Sequence, residues 1–157
     1  MKDDMGIKGE VTVTVIKADG KKKNDKMSNT IDANLKANIA TGLWVSTTYG
    51  LNSSVFDNDN FASATDNESG IVVKSGSNFY ETKNTSIGSP SSGSGVKIQS
   101  STRNNSGSTI TLSNAYLGRT WNASSNAFDG VAYASATPTT AIADGQQIDL
   151  SWEVTIS

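Results

Sequence analysis

The chain has 157 residues and a formal net charge of −2, with 35% hydrophobic and 18% charged residues. It contains neither cysteine nor histidine, which excludes disulfides, thiolate metal sites and a Ser-His-Asp triad within this sequence. The weak charge gives no pull toward nucleic acid or an anionic membrane.

Ser, Thr and Asn make up roughly a third of the residues, above ordinary usage. That composition favours β-structure with polar loops and a surface of hydroxyls and amides. The length suits one domain spanning residues 1–157.

The stretch from Met1 to Gly9 has Met5 and Ile7 as its only apolar anchors. It is expected to be a flexible arm that orders on a neighbouring subunit. It holds no apolar run, so neither a signal peptide nor a membrane span is expected there. Glu10 to Lys17 alternates Val11, Val13 and Val15 with Thr12 and Thr14, a strand pattern. Asp19-Gly20 reads as a turn. Lys21 to Lys26 reads as a solvated hairpin tip or a lysine-guarded edge rather than a phosphate site.

Ser28-Asn29-Thr30 offers helix N-caps, and Ile31, Leu35, Ile39 and Leu43 recur every four residues. This spacing predicts one short α-helix in the N-terminal half, its apolar stripe packed on a sheet. Leu43 to Tyr49 then reads as a strand.

Asp57-Asn58-Asp59-Asn60 sets hard oxygens at alternate positions, as a calcium loop does. Position six of that frame is Ala62 where an EF-hand needs glycine, and position twelve is Glu68. Calcium at Asp57, Asp59 and Glu68 is therefore the alternative to a plain acidic surface loop. Asp57, Asp59, Asp66, Glu68 and Glu81 form the carboxylate pool for a glycosidase, but nothing in the spacing fixes a pair at a catalytic separation. No enzymatic activity is expected, and no cofactor.

Short strands follow at Ile71 to Lys74, Phe79 to Thr82, Val96 to Ser100 and Ser108 to Ser113, with turns such as Asn104-Asn105-Ser106-Gly107. Trp121 to Asp129 reads as a loop. Trp121, with Arg119 and Asn122 beside it, is the glycan-stacking candidate, against the simpler role of a loop anchor. At the end, Ile148, Leu150, Trp152, Val154 and Ile156 alternate with polar residues behind an Asp144-Gly145 turn. These should share a core with Val11, Val13 and Val15. About eight short strands and one helix suggest a mainly β fold, an antiparallel β-sandwich or jelly-roll.

Two stretches resemble virion structural proteins of tailed phages and prophages. One is Lys8-Gly9-Glu-Val-Thr-Val-Thr-Val-Ile with Asp19-Gly20-Lys21 and Ser28-Asn29-Thr30-Ile31. The other is Val131-Ala-Tyr-Ala-Ser, Pro138, Ile142, Asp144-Gly145 and Ile148 to Ser157, preceded by Ile110 to Gly118. The resemblance implies a non-enzymatic role in the virion, as a capsid decoration, vertex or minor tail component assembled in the host cytoplasm. Its partners would be other virion proteins and further copies of itself. From a different class, a module that binds carbohydrate or a host receptor is the alternative. Neither nucleic acid nor a membrane is an expected partner.

Overall fold

A computed structural model describes residues 6–31, 59–66, 69–88 and 94–156. The described chain is mainly antiparallel β. The first strands are β1 (Ile7–Ile16), β2 (Lys22–Ser28) and β3 (Thr30–Ile31). Then follow β4 (Ala62–Ser63), β5 (Gly70–Ser75), β6 (Asn78–Glu81), β7 (Lys83–Gly88) and β8 (Ser94–Arg103). The last are β9 (Ile110–Thr111), β10 (Asn114–Asn122), β11 (Ala127–Ala136), β12 (Ala141–Ile142) and β13 (Gln147–Ile156).

They form a five-stranded sheet in the order β2-β1-β13-β8-β7 and a six-stranded sheet in the order β3-β11-β10-β5-β6-β4. A small ribbon, β12-β9, lies beside them. The two larger sheets meet in one core. Val11, Val13, Val15, Ile98, Ile148, Leu150, Trp152 and Val154 come from the first sheet. Ile71, Val73, Ala115, Leu117, Ala134 and Ala136 come from the second. The period of two in β1 and β13 produces this directly: alternate residues face one way, and only one face is apolar.

β1 and β2 form a hairpin. The Gly20 N–H donates to the Lys17 carbonyl at 2.9 Å, and the Asp19 carboxylate accepts from the Lys21 N–H at 3.0 Å. That backbone bond, helped by the Lys21 side chain, holds the exposed Asp19 carboxyl below its ordinary value of 3.8. The lysine-rich run is thus the outer edge strand of the sheet, a position where lysines oppose edge-to-edge pairing.

The chain changes sheets in two tight steps. After β2, Asn29 alone separates Ser28 from β3 on the other sheet. Its N–H donates to the Gly9 carbonyl at 3.2 Å, and a Cβ on Gly9 would collide with the Asn29 side chain. After β6, Thr82 makes the reverse step. Its buried hydroxyl bonds the Ile71 carbonyl at 2.8 Å and the Ser100 hydroxyl at 2.9 Å, one partner in each sheet.

The structure revises three expectations. No α-helix occurs among the described residues. Ser28 ends β2, and Thr30 and Ile31 pair with Ser135 and Ala134 of β11, so the supposed N-cap belongs to strands. Ile31 is β-branched and packs partly buried on the core, which a strand satisfies. Leu35, Ile39, Leu43 and the strand read at Leu43 to Tyr49 lie outside the described residues. Second, Ile7, Lys8 and Gly9, assigned to a flexible arm, open β1 and pair with Ile156, Thr155 and Val154. Ile7 packs against the core; Met5 lies outside the described residues. Third, Trp121 to Asp129 is not one loop. β10 runs through Asn122 and β11 begins at Ala127, leaving a tight turn between them.

Candidate functional site

The residues singled out for glycan binding are brought together, but not as a platform. Trp121 is 2% exposed. It packs in a second apolar cluster with Ala64 and Val72 on the opposite face of the six-stranded sheet from the main core. Phe79 and Phe128 close over it at centroid distances of 5.4 and 5.0 Å, so the indole offers no face to a sugar. Its anchoring role is the simpler one named above.

Two register shifts in the β10–β11 ladder place it there, one at Leu117/Gly118 and one at Arg119/Trp121. Thr120 sits within the second at φ 60°, a left-handed conformation unusual for a β-branched residue. The buried Ser69 hydroxyl accepts its N–H at 3.1 Å. Asn122 is committed to the turn: its side chain donates to Asp129 at 2.6 Å and accepts from the Ser124 and Ser125 N–H groups. Arg119 is half-buried in β10.

Of the calcium candidates, only Asp59 lies among the described residues. Asp59 forms an ion pair with Lys83 at 2.8 Å, so a cation already occupies its carboxylate. Asp57 and Glu68 lie outside the described residues. Among the described residues no group of three carboxylates could hold a metal ion.

A different surface stands out. The outer face of the five-stranded sheet carries an open depression of about 530 Å³. Pairing builds its floor in rows. Asn24, Thr14, Asp149 and Ser101 lie side by side across β2, β1, β13 and β8. The next row is Lys26, Thr12, Ser151 and Gln99, continued by Ser86 of β7.

A small network fixes the centre. The Gln147 amide donates to Ser101 Oγ at 3.0 Å and to Asp149 Oδ1 at 2.9 Å, and Ser101 Oγ donates to the same carboxylate oxygen at 2.9 Å. Arg103 reaches Gln147 Oε1 at 3.4 Å. Among the described residues, Asp149 is the sole carboxylate lining the depression. The arrangement is built to hold hydrogen-bonding groups.

Thr12, Thr14, Asp149 and Ser151 are visible in the sequence as the polar half of alternating strands. What the sequence hides is which residues become neighbours across strands. Period-two patterning marks a face and leaves the pairing partners open.

The edges of this sheet differ. β2 presents Lys22, Lys23 and Lys26. At the other edge, β7 carries a single charged residue, Lys83, already paired with Asp59. Among the described residues no helix is long and apolar enough to cross a membrane. Searches against protein-family models, curated proteins and solved structures return no match to this chain.

Proposed function

We propose that the protein is a non-enzymatic structural subunit of a bacteriophage virion, a small β-sandwich on capsid or tail that acts by assembly with its neighbours. The observation that carries this reading is the edge strand β7. Beyond Lys83 it runs Asn84-Thr85-Ser86-Ile87-Gly88 without a charge, and its bulge sits at the start, between Asn84 and Ser86. A strand edge with so little charge offers main-chain groups to another chain. The partner is a neighbouring virion subunit, including further copies of this chain. The two stretches that resemble phage virion proteins support the same reading, because they form the paired strands β1 and β13 at the middle of this sheet.

The test is mass spectrometry of purified particles from the source of the sequence, beside the same count for Thr85→Lys. Thr85 is exposed on β7. The protein should be present in the particles. The lysine variant should melt within about 1 °C of the parent, as surface substitutions do, yet be depleted from particles at least tenfold. Absence of the parent protein from particles overturns the virion role. Full incorporation of Thr85→Lys overturns β7 as the docking edge.

A further inference from the structure

We infer that the depression on the five-stranded sheet is a binding site for an uncharged saccharide chain. The inference stands on the chemistry of that face and does not need the virion role.

Its volume, about 530 Å³, falls among those of small-molecule sites. Its lining is what selects the ligand. Thr14, Asn24, Ser101, Gln147, Asp149 and Ser151 supply hydroxyl, amide and carboxylate groups. Part of this set is already oriented. Asp149 Oδ1 is held by Gln147 and Ser101, which fixes the carboxylate and leaves Oδ2 as an acceptor without a partner among the described residues. The side chains of Thr14, Asn24 and Ser151 likewise bond no described residue. A site with acceptors and donors fixed in advance loses little freedom when a ligand docks.

Charge and aromaticity remove the other ligand classes. Nucleic acid needs an excess of cations along its backbone and aromatic rings under its bases. Here Lys26 is paired with Glu10 at 2.7 Å and Lys97 with Glu153 at 3.0 Å. Lys22 is balanced by Asp149, and no aromatic residue lines the depression. A protein partner would look for an apolar centre with Tyr, Trp or Arg anchors, and the lining has none. A neutral ligand bearing many hydroxyls matches a lining of hydroxyls and amides whose one lysine and one carboxylate balance. The rows across β2, β1, β13 and β8 repeat at the inter-strand spacing of about 4.8 Å, so contacts continue along an extended chain of sugar units.

With no ring to stack on, each binding event rests on hydrogen bonds exchanged with water. The dissociation constant should be on the order of 1 mM. Several copies held together would lower the apparent constant by avidity.

The experiment is an NMR titration of the 15N-labelled full chain. The probes are maltohexaose, cellohexaose, mannohexaose and hexaacetylchitohexaose, each to about 10 mM, ten times the expected constant. At least one should shift the amides of Thr14, Asn24, Ser101, Asp149 and Ser151. Asp149→Ala should weaken that binding at least tenfold. Thr14→Val keeps strand preference and size, and should weaken it severalfold without lowering the melting temperature. Lys74→Ala, on the other sheet, should leave it unchanged. Silence from all four probes overturns the inference. So do shifts confined to Phe79, Tyr116 and Phe128, or unchanged binding by folded Asp149→Ala and Thr14→Val.

Discussion

Single residues hold this fold where water is excluded, and two make the point from opposite chemistries. Asn104 is fully buried, and its side chain is saturated. The amide donates to the Ser108 and Ile142 carbonyls at 2.8 Å each, and its oxygen accepts from Ser106 N–H and Oγ. It thereby ties the Asn104–Ser108 turn to β12. Asn104→Ala strands the buried Ile142 carbonyl, while water can replace the bonds to exposed Ser106 and Ser108, so a loss of about 1–3 kcal/mol is expected. Urea unfolding checks this, and a loss under about 1 kcal/mol would show that the turn re-forms around water. Trp152 is the apolar counterpart, with none of its surface exposed, between the two sheets. Trp152→Ala should cost about 3–5 kcal/mol. An unchanged melting temperature in a soluble variant would refute its core position.

Strands and their junctions show how much was legible in advance. β1 and β13 are marked in the sequence by clean alternation, and their apolar halves do enter one core. β2 and β7 left no such mark, because an edge strand needs little apolar surface: β2 has only Met27, partly buried. Of the stripe read as helical, only Ile31 lies among the described residues, and it pairs with Ala134 as a strand residue. Trp121 was read as the start of a loop and lies in β10. The bulged ladder turns it to the far face, and a bulge carries no sequence signal when Thr rather than Gly occupies the positive φ. At the site, the polar residues were readable and their rows were not. The Gly9–Asn29 approach gives the element-scale test. Gly9→Ala must displace the Asn29 side chain where β2 hands the chain to β3. A loss of about 1–3 kcal/mol is expected, measured by thermal unfolding. Restoration by the double variant with Asn29→Gly would localise the cause.

The described residues form two sheets packed on one core, and the two outer faces differ in kind. One is rich in hydroxyls and amides. The other is aromatic, with Phe79, Tyr116 and Phe128 half-buried around Trp121 and Lys74 lying 5.1 Å from the Phe79 ring centre. Between them, the middle strand of the five-stranded sheet is β13, flanked by β1 on one side and β8 on the other. That pairing, Ile7 with Ile156 and Val15 with Ile148, has a consequence in time. A nascent chain leaving the ribosome can close the β1–β2 and β7–β8 hairpins early, yet their apolar faces stay wet until the last strand arrives between them. Folding therefore waits until Gln147 to Ile156 has been made, and it must close a very long loop before the sheet repays the entropy. Refolding from denaturant, followed by the fluorescence of Trp152 as it is enclosed, should run over milliseconds to seconds, as for other sheets built from distant segments. A microsecond phase carrying the full amplitude would contradict it. A ribosome stalled just before Gln147 should hold a chain that proteases still cut freely.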